Sequence, residues 1–306
     1  MKWASFAVLL VLLAAGCTEA PPQPTATYEW PTLSSTVAAS ATVNPVAPIE
    51  EGPQIHVQPP DAPGVSNPTQ AALAAEGQPA QDLPTVTPQP TQAQLPMLIS
   101  ANDGLVLRGT LFGATVRPAP GVLLVHDRGE DRTAWDEMAG RLQAAGYAVL
   151  TVDVRGHGET GGGVNWPLAQ DDVRVVLRQL ADLPGINNTQ LIVIGAGIGA
   201  NMGLNACADQ TGCVGMVMLS PGLDYRGITT SEAMARLGAR PVLIVASEND
   251  NNNPADSLLL DSMAAGDHLV QIYPAAGHGT AMFAADPGLY DLIVNWLRAR
   301  FPPPIG

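Results

Sequence analysis

The sequence predicts an α/β fold: a doubly wound, mostly parallel sheet of about eight strands with an antiparallel start and no large lid. Three observations predict it. From Gly121 onward, short apolar runs alternate with segments of helical composition. The inner runs, such as Gly121–Val125 and Leu191–Ile194, are continuous in Val, Ile and Leu, as strands covered on both faces must be. Before them, Asn102-Asp103-Gly104 separates two β-rich runs and reads as a hairpin turn.

The elements follow in order. Met97–Ser100 and Leu105–Phe112 form the antiparallel start. Strands are then expected at Gly121–Val125, Ala148–Val152, Leu191–Ile194, Gly215–Leu219, Pro241–Ala246 and Leu269–Tyr273. Helices are expected at Ala134–Ala145, Pro167–Leu183, Ile198–Ala208, Ser231–Leu237, Pro254–Ala265 and Pro287–Phe301. The interval from Ser220 to Arg240 is too short for a lid domain. Ligands of such sheets bind at the carboxyl ends of the strands, and the polar motifs of this chain fall there.

Residues 97–306 are expected to form this domain, and what precedes them differs in kind. Met1-Lys2, the apolar run Trp3–Ala15 and Gly16-Cys17 have the form of a secretory signal over residues 1–16, too short for a lasting transmembrane helix. Leu13-Ala14-Ala15-Gly16-Cys17 resembles the bacterial lipoprotein signal. That resemblance implies a lipidated Cys17, an exported chain, and a bilayer as partner. Residues 17–96 read as the lipidated cysteine followed by a disordered Pro/Thr/Gln-rich tether. Residues 18–96 hold 16 of the 28 prolines and no Lys or Arg, and cannot bury enough surface to order themselves. The net charge of −14 argues against nucleic acid as a partner. Cys207 and Cys213 lie six residues apart. They read either as a small disulfide, given an oxidising compartment, or as two buried thiols. No cysteine or histidine pattern calls for a metal, and no cofactor is expected.

The chemistry centres on Gly195-Ala196-Gly197-Ile198-Gly199-Ala200, a glycine turn between a strand and a helix. Two patterns fit it. One is the nucleophile elbow G-x-S-x-G, with Gly197 where Ser is expected. The other is the dinucleotide fingerprint G-x-G-x-x-G/A. The dinucleotide pattern belongs after the first strand of its domain and needs an acid at the end of the following strand. Here several strands precede the turn, and the following strand ends in Ser220-Pro221. A dinucleotide-binding protein is therefore a poor alternative.

Three further motifs side with the elbow. His126-Asp127-Arg128-Gly129, with Trp135 beyond it, resembles the His-Gly-x-Gly oxyanion turn of the α/β-hydrolases, with Asp127 in place of the first glycine. Asp153-Val154-Arg155-Gly156-His157-Gly158-Glu159-Thr160 resembles a turn whose role in that superfamily is structural, so His157 is not expected to be catalytic. Asn249-Asp250 stands where the superfamily carries its triad acid, and Gly277-His278-Gly279 where it carries its histidine. Elbow, acid and histidine come in the superfamily's order, at spacings of 53 and 28 residues. The resemblance is to dienelactone hydrolase-like and serine aminopeptidase-like α/β-hydrolases over most of 97–306. It implies an α/β-hydrolase fold, a pocket for acyl or ester ligands, catalytic positions at Gly197, Asp250 and His278, and oxyanion or binding positions at Arg128, Gly129 and Ile198. Either Asn249 or Asp250 can align with the acid.

Glycine cannot form an acyl-enzyme. The expectation is therefore a membrane-anchored hydrolase-like lipoprotein, catalytically impaired, that keeps an ester-type binding pocket. The rival is an active carboxylesterase or dienelactone hydrolase-like enzyme that uses a displaced nucleophile, with Ser220 and Ser247 nearest by topology, or a water activated by His278.

Overall fold

The computed structural model describes residues 94–251 and 253–305. The signal, Cys17 and the tether lie outside the described residues, apart from the last three residues of the segment read as tether, which open the first strand.

Among the described residues, ten strands and seven α-helices follow one another: β1 (Gln94–Ser100), β2 (Val106–Phe112), β3 (Ala119–Val125), α1 (Asp136–Ala144), β4 (Ala148–Asp153), α2 (Trp166–Asp182), β5 (Ile186–Ala196), α3 (Ile198–Asp209), β6 (Cys213–Leu219), β7 (Asp224–Tyr225), β8 (Ile228–Thr229), α4 (Ser231–Leu237), β9 (Val242–Ser247), α5 (Asn253–Met263), β10 (His268–Tyr273), α6 (Met282–Ala285) and α7 (Gly288–Arg300). Eight of the strands form one sheet in the order β1-β2-β4-β3-β5-β6-β9-β10. β1 and β2 pair antiparallel, β2 joins β4 antiparallel, and every later pairing is parallel. The predicted class and its antiparallel start are both present.

The apolar runs explain the layering. All seven residues of β3 and all six of β4 and β9 are buried. Alternate side chains of β3, β5, β6 and β9, among them Leu124, Ile194, Val217 and Leu243, join Met138, Leu142, Ile293 and Trp296 of α1 and α7 in one core. α2 and α3 cover the opposite face, where a Cβ on Gly203 of α3 would lie 2.8 Å from Val193 Cγ1. Asn165 starts α2, its side chain accepting the Leu168 N–H at 3.1 Å.

Two elements depart from the sequence reading. β7 and β8 form a small hairpin with Arg226 and Gly227 at φ 57° and 86° in its turn. Strands of two residues are too short to show a period. The short α6 follows the His278 loop. Cys207 and Cys213 are joined by a disulfide between the end of α3 and the start of β6.

Candidate active site

The glycine turn joins β5 to α3. Its outer glycines are required by packing. A Cβ on Gly195 would lie 2.5 Å from Gly199 O, and one on Gly199 2.3 Å from His126 O, so strand, helix and the β3–α1 loop meet with no room for a side chain. Gly197 has φ 52° and ψ −123°, a backbone that residues with a Cβ adopt only under strain. Space is also lacking there. A Cβ at Gly197 would lie 2.0 Å from Asp127 Oδ1 and 2.3 Å from its Cγ. The Asp127 carboxylate, coming from the β3–α1 loop, fills the volume that a residue-197 side chain would take.

Asp127 is held on several sides. Its Oδ1 accepts the Ile198 N–H, the first of α3, at 3.0 Å. Its Oδ2 lies 3.1 Å from His278 Nε2. Glu130 pins the loop: one carboxylate oxygen accepts the Asp127 N–H at 3.1 Å, and the other accepts the Thr280 hydroxyl beyond His278.

His278 follows β10. Its Nδ1–H points to Asp250, 2.9 and 2.8 Å from the two carboxylate oxygens. Asp250 follows β9, is 3% exposed, and also accepts from Asn253 Nδ2 at 2.6 Å. Asn249 faces away from the imidazole; its Oδ1 accepts the Ser247 hydroxyl at 2.6 Å and the Gly277 N–H at 3.0 Å. Of the two residues left open as the acid, Asp250 is the one against the histidine. The result is a row, Asp127–His278–Asp250, in which an imidazole lies between two carboxylates.

The electrostatics follow from that row. The hydrogen bond to Asp127, reinforced by the charges of Asp127 and Asp250, pushes the His278 pKa up to about 9 against the opposing effect of burial. Burial alone would raise the Asp127 pKa. The His278 bond and the Arg128 and Ile198 N–H groups outweigh it and hold Asp127 below the ordinary carboxylate range. Near neutral pH both shifts favour an imidazolium at His278 against a carboxylate at Asp127. A protonated imidazole is not a general base.

The row opens on a cavity of about 530 Å³, lined among others by Asp127, Arg128, Ile198, Tyr225, Arg226 and His278. The β7–β8 hairpin forms one wall. Tyr225 Oη donates to Asn253 Oδ1 at 2.5 Å, and the Tyr225 ring stands edge-on to His278, 6.5 Å between centroids. Gly129 is exposed and does not line the cavity.

The serines named as displaced nucleophiles do not reach it. Ser220 is fully buried, and its Oγ accepts the Gly279 N–H at 2.9 Å. Ser247 is also fully buried and anchors the same loop through the Ala276 N–H at 2.7 Å. Both hold the His278 loop in place. His126 is buried, with Nε2 accepting the Val154 N–H at 3.0 Å. His157 Nδ1 lies 3.1 Å from Arg155 O, while Arg155 bridges Asp172 and Asp103. No group of residues that would hold a metal occurs among the described residues.

The residue that sequence reasoning missed is Asp127. Its signal was a pair of departures, a side chain lost at Gly197 and one gained at Asp127, on two turns that the topology brings together.

The serine aminopeptidase, S33, family model matches residues 117–240. Among solved structures, the chain is similar to the α/β hydrolase GrgF from Penicillium (TM-score 0.60, 15% identity, covering 68% of this chain and 98% of that one). It is also similar to a dienelactone hydrolase from Anabaena variabilis (TM-score 0.57, 19% identity, 68% and 97% covered). This chain has the α/β-hydrolase fold. A thermostable carboxylesterase cloned from a metagenomic library shares it (TM-score 0.56, 18% identity, 68% and 88% covered). No curated protein matches the sequence significantly.

Proposed function

We propose that this is an exported, lipid-anchored α/β-hydrolase-fold protein that has lost serine-type acyl transfer and keeps its pocket for a small acyl or ester-type ligand. One observation carries the reading: the Asp127 carboxylate fills the place of the elbow side chain, takes up the Ile198 N–H, and pairs with His278. A serine hydrolase needs a hydroxyl at that place, an empty N–H for the oxyanion, and a neutral imidazole. The anchor rests on Cys17 and its signal, and the Cys207–Cys213 disulfide suits an oxidising compartment. No helix among the described residues is long and apolar enough to cross a membrane.

The test is hydrolysis of p-nitrophenyl acetate and butyrate by the purified protein, beside Gly197→Ser, Asp127→Gly and the double variant. The native protein and both single variants are expected at background. The double variant, which supplies the hydroxyl and clears its space, is expected to gain turnover of at least tenfold over background. Native turnover lost on His278→Ala contradicts the reading. Expression in a bacterial host with labelled palmitate tests the anchor; Cys17→Ala should abolish both label and membrane association.

A further inference from the structure

We propose that the chain carries a second ligand site, a groove between α1, α6 and the start of α7, and that it takes a small primary ammonium compound with a hydrocarbon body. The groove shares no lining residue with the cavity at His278, so its ligand is independent of what that cavity takes.

The groove has a volume of about 520 Å³, in the range of small-molecule sites. Ala134, Ala284, Pro287 and Phe283 give it an apolar wall, and among the described residues its charged lining is Glu130 and Glu137. Glu137 already has a cation. Its Oε1 accepts from Arg141 at 2.8 Å, and its Oε2 accepts the Tyr290 hydroxyl at 3.3 Å. Glu130 has none. It is partly buried in the loop after β3, its two oxygens accept the Asp127 N–H at 3.1 Å and the Thr280 hydroxyl, and it forms no ion pair among the described residues. Those two bonds hold the carboxylate from opposite loops, so a ligand need not order it. Each oxygen accepts one bond and keeps a second lone pair.

The lining selects the ligand by charge first. An anion would meet two carboxylates and no lining cation, whereas a cation supplies the partner that Glu130 lacks. The kind of cation follows from the rings. A quaternary ammonium has no N–H to donate and is held by a free aromatic face. Here Tyr290 stacks on Phe283 with 4.2 Å between centroids, and the Arg141 guanidinium stands 4.5 Å over the Tyr290 ring, so the π-surface of Tyr290 is already engaged. A primary ammonium instead brings three donors, matched to the open lone pairs of Glu130 by charge-assisted hydrogen bonds. The apolar wall favours a hydrocarbon body over a bare inorganic cation, for which the groove offers too few oxygens.

The experiment titrates the purified full chain at neutral pH with phenethylammonium chloride, followed by calorimetry and by amide NMR. Three further probes accompany it: phenylpropionate, which reverses the charge; phenethyltrimethylammonium, which removes the donors; and a tetralysine peptide, which carries the ammonium on a chain. Phenethylammonium is expected to bind saturably, one per chain, with a Kd of about 1 mM or tighter. Its amide shifts should centre on Thr280, Ala281 and Ala284. Phenylpropionate should not bind, and the trimethyl compound and the peptide should bind more weakly by about tenfold or more. Glu130→Gln, which keeps the length of the side chain and removes its charge, should weaken phenethylammonium by about tenfold. Ala284→Phe fills the groove from an exposed helix position, leaves Glu130 and both its bonds in place, and should abolish binding. Near-UV circular dichroism shows whether each variant is folded, and Ala284→Phe carries the test if Glu130→Gln is not. No saturable binding, equal binding of phenylpropionate or of the trimethyl compound, preference for the peptide, shifts confined to Tyr225 and Arg226 of the other cavity, or an unchanged affinity in either folded variant overturns the proposal.

Discussion

The Asp127 carboxylate occupies the volume that a side chain at Gly197 would take. Restoring serine at position 197 alone should therefore fail. Gly197→Ser brings its Cβ onto Asp127 Oδ1 and strains a backbone at φ 52°, and is expected to destabilise the chain by about 1–3 kcal/mol in urea denaturation. Removing the Asp127 side chain in the same chain should recover part of that loss. The histidine row sets a pH dependence with a definite sign. His278 titrates near 6.5 when unfolded and near 9 when folded. Its contribution to stability is full below about pH 6.5 and is lost as pH rises through about 9. Asp127 acts oppositely: its depressed pKa adds stability above the unfolded value, lost as pH falls through the folded one. Native Tm should decline between about pH 7 and 10, and Asp127→Asn should flatten that decline. Because His278 is partly exposed, solvent and salt reduce the effect. At this scale the missing hydroxyl was plain in the sequence. The carboxylate that replaces it was not, because a motif states what a position lacks, not which distant side chain enters the vacated space.

Elements position the site by their ends, and the far end of α3 is the one most heavily tied. Arg240 donates to Cys207 O at 2.7 Å, Ala208 O at 3.1 Å, Arg236 O at 2.8 Å and Leu237 O at 2.6 Å, closing the carbonyl ends of α3 and α4 with one cation. Arg240→Ala should cost about 1–3 kcal/mol by denaturant titration. The disulfide beside it closes a short loop, and replacing both cysteines by serine should cost about 2 kcal/mol by loop entropy. The long strands were legible because each is a continuous apolar run. Helix ends moved by one or two residues, as at α1, which starts at Asp136 after a separate short turn at Arg132–Trp135. The β7–β8 hairpin was not legible, yet it supplies Tyr225 and Arg226 to the cavity wall. Its only signal was Arg226-Gly227 between Tyr225 and Ile228, four residues with no period to read.

Across the whole molecule, the sheet order brings the carboxyl ends of β3, β5, β9 and β10 to one place. Asp127, Gly197, Asp250 and His278 meet there although 151 residues separate Asp127 from His278. Alternation of strand and helix was enough to predict that convergence. It could not predict the charge state, which arises only once three side chains from three loops share one row. The bond from Asp127 to His278 favours an imidazolium at neutral pH. The direct measurement is an NMR titration of the His278 ring nitrogens in native and Asp127→Asn protein. Both nitrogens are expected to be protonated at pH 7, with a midpoint near 9 and a clear downward shift on Asp127→Asn. A native midpoint near 6.5, unmoved by Asp127→Asn, would contradict it.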